Sequence, residues 1–331
     1  MKAIVNERYG TPDIMQIKEI PKPVPAENEV LVKIHASSVN AADWHLLTAD
    51  IFLVRLAMGL FSPKHKILGA DIAGKVETAG KNVKQFKTGD EVFGDIALHG
   101  FGGFAEYVSV PENALALKPA NLSFEEAAAA PLAGITALQG LRDVGQIQPG
   151  QKVLINGASG GVGTYAVQIA KAFGAEVTAV CSSRNLETAR KIGADHVIDY
   201  AKEDFTQSGN LYDLIFAANG YHPLSAYKRA LSSKGTYVMA GGPVTQLFQA
   251  ILFGSLMSKK DGKKMTFLSA KANQKDLITI KEFLESGKII PVIDKRFPLD
   301  HTPEALRYLG DGHARGKVVI NVNHGAKPEL K

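Results

Sequence analysis

Three glycines at a spacing of three, Gly157, Gly160 and Gly163 in "GASGGVG", carry chemistry in their backbone rather than in side chains. An apolar run, "KVLIN" (152–156), precedes them, and an apolar-striped segment, "TYAVQIAKAFG" (164–174), follows. Strand, glycines and helix in that order are expected to form a cradle for phosphate; the competing reading is a tight turn with no ligand. Glycine lets the chain turn tightly and approach a pyrophosphate, and the free N–H groups at the helix start then bind it. On this reading Ser159, Gly160, Gly161, Val162 and Gly163 touch the phosphates.

The ligand's ribose end is read from the next strand. A site for NAD needs an acidic residue at that strand's end, about 20 residues on, to grip the 2′-hydroxyl. Here "EVTAVC" runs into "SSRN" (182–185), and its acid, Glu176, lies at the opposite end. Hydroxyls and a guanidinium suit a 2′-phosphate, which a carboxylate would repel. Ser182, Arg184 and, from the end of "HVIDY", Tyr200 are the expected contacts, and NADPH the expected cofactor. The competing reading has Ser183 capping the helix "NLETARKIG" and Arg184 in solvent.

These residues need a frame. From Lys152 onward, "KVLIN", "EVTAVC", "HVIDY", "YDLIFAA", "GTYVMAG" and "KMTFLSA" alternate with helical segments. That pattern predicts a doubly wound parallel sheet. Before it, short strands punctuated by Gly and Pro predict a small barrel or sandwich: the hairpin "KAIVNER"/"IMQIKEI", then "NEVLVKIHASSV", "LGADIAGKVETAG", "GDEVFGD" and "GGFAEYVSV". The character changes near Ser123, which with Glu126 predicts a capping box opening the alanine-rich helix "SFEEAAAAPLAGITALQGL". The tail after Ala270, with a helix, "IIPVIDKRFPL", "TPEALRYLG" and "GKVVINV", is too short for a domain and returns to the first. The expected organisation is a substrate domain at 1–122 and 271–331 and a cofactor domain at 123–270.

Composition excludes several classes. The 331 residues are 45% apolar, as in ordinary globular proteins, and suit two domains. The net charge of +5 is spread along the chain, so no nucleic-acid surface is expected. The densest basic cluster, "MSKKDGKK" (257–264), reads as a solvated loop. A single cysteine, Cys181, allows neither an internal disulfide nor a cysteine-built metal site. No apolar run reaches signal-peptide or membrane-span length, so a reducing, cytoplasmic setting is expected.

The segment "GQKVLINGASGGVGTYAVQIAK" (150–171) resembles the signature of the quinone oxidoreductase/zeta-crystallin branch of the medium-chain dehydrogenase/reductase superfamily. The likeness extends through "VLVKIHASSVNAADWHL", "LGADIAGKVETAG", "GDEVFG", "GGFAEYV" and "GKVVI". It implies an α/β chain with a GroES-like substrate domain, a Rossmann cofactor domain, and assembly as a homo-oligomer, typically a dimer. Where zinc-dependent relatives place their catalytic ligands, this chain has Asn40, Ala70 and Leu132. His35, His45, His65 and His99 lack paired-ligand spacing. Zinc is not expected, and with it goes simple alcohol oxidation.

What remains is hydride transfer from the nicotinamide to an already electron-poor acceptor, a small hydrophobic quinone or α,β-unsaturated carbonyl. By resemblance, Asn40 and Asp43 are the catalytic candidates: Asn40 donating an amide N–H, Asp43 fixing a loop or touching the cofactor rather than acting as a base. The plainer reading makes both turn residues. Thr136 is implied beside the nicotinamide; Asn219 with Gly220 and Ala240 with Gly241 end strands four and five, where parallel sheets bind ligands. Lys317 either reaches the cofactor cleft or leads its strand at the surface, and the apolar stretch 47–69 is a pocket wall or lid, or a packed loop. The competing functions are an NADPH-binding regulatory protein with little turnover and an alcohol dehydrogenase.

Overall fold

The computed structural model describes residues 1–50, 52–242, 262–312 and 314–322. Much of the basic cluster at 257–264, namely 257–261, lies outside the described residues. The strands in chain order are β1 (Lys2–Val5), β2 (Gln16–Glu19), β3 (Glu29–Val39), β4 (Asp71–Ala79), β5 (Glu91–Asp95), β6 (Tyr107–Pro111), β7 (Leu115–Leu117), β8 (Lys152–Asn156), β9 (Glu176–Cys181), β10 (His196–Asp199), β11 (Tyr212–Ala217), β12 (Leu231–Met239), β13 (Lys264–Phe267), β14 (Ile293–Pro298) and β15 (Lys317–Asn321). They fall into two compact units. One comprises Met1–Leu132, Ala272–Glu285 and Ile293–Lys331; the other Ala133–Lys271 and Ser286–Val292.

In the first unit β1 and β2 form the expected hairpin. β3 is the hub of the larger sheet, ordered β14-β15-β3-β4-β5-β7 with β6 also on β3. Its burial alternates briefly and then becomes continuous from Ala36 to Val39, because strands flank it on both sides. Val30, Val32, Ile34, Ile72, Val92, Phe104, Val318 and Ile320 fill the core. β6 starts only at Tyr107, later than the alternation from Gly102 suggests. Phe101 and Gly102 adopt φ of 63° and 114°, which no strand accommodates. The tail does return here: β15 pairs antiparallel with β3. β14 and β15 are parallel and joined by the helix Thr302–Gly310, so the tail contains a strand–helix–strand unit of its own.

The alanine-rich stretch is not one helix. Ser123 and Glu126 form the capping box, and the first helix runs from Phe124 to Ala128. A second runs from Pro131 to Gln139 and passes into a π-helical turn at Gly140–Val144. Pro131 has no N–H and disfavours helical geometry at the residue before it, so it ends one helix and starts the next.

In the second unit all six strands are parallel, in the order β10-β9-β8-β11-β12-β13. The chain builds outward from β8 in one direction and then from β11 in the other. Ligands bind such sheets at the carboxyl ends of the two strands where the order reverses. Those ends are Asn156 and Ala217, which are register partners. No helix among the described residues is long and apolar enough to cross a membrane.

Candidate functional site

The glycine loop leaves β8 at this switch point, and its three glycines do different work. Gly157 has φ of 82°, and a Cβ there would meet Asn219 N at 2.7 Å. Gly163 packs against the loop so closely that a Cβ would lie 2.0 Å from Gly157 O. Gly160 has an ordinary φ of −79° and nothing nearer to a Cβ than Gly157 O at 3.6 Å. The first and third glycines serve the protein. The middle one leaves open the face that a pyrophosphate would approach. Gly160 caps the helix Gly161–Ala172, whose first turn carries no acidic residue. The N–H groups of Gly161, Val162 and Gly163 have no intrahelical acceptor, and the positive helix end is not neutralised. Ser159 is half-buried beside them. A dinucleotide pyrophosphate therefore fits this cradle.

Asn219 is exposed just past β11, with its Oδ1 accepting Gly220 N at 2.8 Å. Ala240 and Gly241 follow β12, both N–H groups donating to Ala217 O at 2.9 and 3.1 Å. Thr136 is buried in the helix Pro131–Gln139.

At the ribose end, β9 gives way to a turn at Ser183–Asn185. Asn185 is buried and donates to Ser182 Oγ at 3.1 Å. Arg184 is exposed and forms no ion pair among the described residues; Tyr200 is 63% exposed. Ser183 does not cap the following helix: its hydroxyl donates to Asp199 Oδ2 at 2.5 Å. Sequence reading missed Asp199. The signal was the parallel register, which sets the last residue of β10 beside Cys181, the last of β9.

The first unit contains a buried polar cluster, assembled by strand register. Pairing sets Ser38 opposite Asp71, Asp71 opposite Asp95, and Val39 opposite Val318, next to Lys317. Asp71 Oδ2 accepts Ser38 Oγ at 2.7 Å, Asn40 Nδ2 at 2.9 Å and Lys317 Nζ at 3.2 Å. Its other oxygen accepts Leu132 N at 2.8 Å. Lys317 also donates to Asn40 Oδ1. With 3% side-chain exposure it is not the surface lysine of the plainer reading. Asn40 is thus held at both ends of its amide: one Nδ2 hydrogen goes to Asp71 and the other makes only a long 3.4 Å contact with Ser38 O.

Asp43 is fully buried and accepts Asn40 N at 2.8 Å and Gly69 N at 3.0 Å, one on each oxygen. It braces the loop around the helix Ala41–Thr48 and has no free face for proton transfer. Burial pushes its carboxyl up to about 7, against the pull of those two N–H groups and with help from the charge on Asp71. Burial, then Asp71, also raises Asp95. The folded protein therefore holds protons on these acids that the unfolded chain has released. The stability these two acids contribute is expected to fall as pH rises from about 4 to about 7, since at them the folded state binds more protons in that window. Urea denaturation of Asp43→Asn should show a shallower pH slope than the parent; an identical slope would exclude Asp43 as its source.

The positions that carry zinc ligands in zinc-dependent relatives do not fit a metal here. Asn40 spends its oxygen on Lys317, and Ala70 and Leu132 have no donor atom. Among the described residues no three His, Cys, Asp or Glu side chains cluster as a metal site. His45 pairs with Asp50 at 3.0 Å at the surface, His35 stacks on Phe124 and His65 packs on Phe101. The stretch 47–69 includes the helix Phe52–Met58 and is tied to Tyr9 by a 2.7 Å bond to Gly59 O. Its Met58, His65 and Leu68 line a small, partly open pocket with Tyr9, Leu46 and Phe101.

Comparison with known proteins agrees with this architecture. Residues 26–120 match the alcohol dehydrogenase GroES-like domain, and residues 192–320 match a zinc-binding dehydrogenase family. The chain is 37% identical to the 2-methylene-furan-3-one reductase of Solanum lycopersicum, over 97% of this chain and 79% of that one. It is 35% identical to the chloroplastic quinone-oxidoreductase QR1 of Triphysaria versicolor, over 97% and 98%. An NADPH-dependent alkenal/one oxidoreductase of Arabidopsis thaliana is also 35% identical, over 97% and 79%. The solved quinone oxidoreductase from Coxiella burnetii superposes with a TM-score of 0.84 at 29% identity, over 98% and 99%. The chain belongs to the medium-chain dehydrogenase/reductase superfamily, and it is an oxidoreductase of the kind that includes quinone oxidoreductases and enone reductases.

Proposed function

We propose that the protein is a zinc-independent reductase that uses NADPH to reduce a quinone or an α,β-unsaturated carbonyl. The observation that carries this reading is the dinucleotide cradle with no acid at the end of β9 and, in its place, an exposed Arg184 that pairs with no acid among the described residues. Relatives named for quinone, furanone and alkenal/one reduction support the acceptor class. The loop 159–163 would hold the pyrophosphate and Ser182 and Arg184 the 2′-phosphate. NADPH, when bound, supplies a hydride. Without a metal, the acceptor must be electron-poor already, and the protein's part is alignment and stabilisation of charge on its oxygen. Asn40 is the proposed donor. Lys317 at its oxygen polarises the amide and Asp71 fixes its plane, and the N–H offered to the acceptor is the one now in the long contact with Ser38 O, which it would exchange for the substrate oxygen.

The test is NADPH consumption against a panel of quinones and alkenals, with and without chelator. Turnover that survives chelation is expected; binding of NADPH with no turnover on any acceptor would overturn the reading in favour of a regulatory NADPH-binding protein. Stoichiometric zinc in the purified protein would overturn zinc independence. For the cofactor, Arg184→Ala should weaken NADPH about 10-fold to 100-fold, the worth of one charge-assisted hydrogen bond, and NADH about twofold or less. Equal weakening of the two would remove the 2′-phosphate assignment.

A further inference from the structure

The ribose turn has no acid at the end of β9, where an NAD site usually places one, but a carboxylate reaches it from the end of the next strand. Asp199 ends β10, is 7% exposed, and lies across from the end of β9. Its Oδ1 accepts Ala201 N at 3.1 Å and its Oδ2 accepts Ser183 Oγ at 2.5 Å. The Ser183 hydroxyl, together with the Ala201 N–H and the charge of Lys202, holds this carboxyl below the ordinary range, so it is ionised and can only accept.

A hydroxyl has one hydrogen and two lone pairs. Ser183 commits its hydrogen to Asp199, so toward solvent it offers only lone pairs. A ribose 2′-hydroxyl can donate to such an oxygen; a 2′-phosphate, which has only acceptors at neutral pH, cannot. Ser182 is arranged the other way. Its oxygen accepts from Asn185 Nδ2 at 3.1 Å, and its hydrogen stays free to donate to a phosphate. Arg184 beside it is exposed. Neighbouring hydroxyls would thus offer a ligand opposite polarity.

We propose that Asp199 is a positioning residue for cofactor choice: by fixing Ser183 as an acceptor it keeps the site open to NADH, while Ser182 and Arg184 serve NADPH. This rests on the cofactor reading above and deepens it. The site accepts both dinucleotides, and its NADPH preference is limited by Asp199 rather than by an acid at the end of β9. Asp199→Asn reverses the polarity. The amide oxygen can still accept Ala201 N, the amide N–H₂ donates to Ser183, and the Ser183 hydrogen becomes free for a 2′-phosphate.

The test is fluorescence titration of NADPH and NADH, which reads binding without turnover. Asp199→Asn is expected to tighten NADPH by about fivefold to tenfold and weaken NADH by a few-fold, from one neutral hydrogen bond gained and one lost. Removing a negative charge would also favour NADPH, so Ser183→Ala separates the causes. It should weaken NADH about fivefold and leave NADPH within about twofold. If Ser183→Ala weakens both cofactors alike, or neither, the polarity argument is overturned whatever Asp199→Asn does. If the parent protein binds neither dinucleotide, the cofactor reading itself fails, which is a different outcome from an unmoved NADPH-to-NADH ratio.

Discussion

Lys317→Met is expected to destabilise the first unit by about 3–5 kcal/mol, the cost of removing one partner from a buried ion pair. Asp71 is 0% exposed, and its ion-pair partner is an ammonium at 3.2 Å with 3% exposure. Three neutral donors, Ser38 Oγ, Asn40 Nδ2 and Leu132 N, would remain on the carboxylate. They satisfy its lone pairs but do not cancel its charge. Asn40 would also lose the donor on its oxygen, so the amide is freed at one end and kcat should fall along with stability. The double variant Lys317→Met with Asp71→Asn should recover much of the loss, because no charge is then left buried. Chemical denaturation of the two single variants and the double gives the coupling directly. A single-variant loss below about 1 kcal/mol would mean the pair is solvated and the cluster does not hold Asn40.

That cluster and the glycine loop differ in how far the sequence shows them, and the reason is physical. The loop's constraints fall on glycines spaced within seven residues, so residue type and spacing display them, even though the backbone that Gly157 must clear is that of the distant Asn219. Gly157 and Gly163 are glycines because a Cβ would collide with nearby backbone. The Rossmann strands were legible for a similar reason: each is a short apolar run, and the parallel order follows from helices between them. The polar cluster draws on β3, β4, β5 and β15, and its members are neighbours only through strand register. Asp71 and Asp95 look like strand-end acids in the chain, and nothing local distinguishes them from surface acids such as Glu77. Asn40 and Asp43 were named as candidates by resemblance, but their anchoring was not legible, since Lys317 lies 277 residues away from Asn40. Asp199 was hidden in the same way, by a register between strands.

The local constraints lead to the other large effect, a contrast within the glycine loop. Gly163→Ala is expected to cost about 3 kcal/mol or more, at the upper end of overpacking, because its Cβ would sit 2.0 Å from Gly157 O and 2.8 Å from Ala158 Cα. Both obstacles are backbone, so no rotamer change relieves them, and the helix must shift away from the loop. Gly160→Ala should leave stability unchanged or raise it by about 0.4–1 kcal/mol, since φ is −79° and the nearest atom to the new methyl is 3.6 Å away. Yet the same methyl would stand on the face that a pyrophosphate would approach under the proposed function, so NADPH binding should weaken by about tenfold or more. Thermal denaturation with a binding titration on both variants separates the two roles. Gly160→Ala binding NADPH like the parent would move the phosphates away from this loop, and Gly163→Ala melting like the parent would show that helix and loop can part without cost. The expected pattern, one glycine needed by the fold and the other by the ligand, is what a cradle predicts and what a tight turn with no ligand does not.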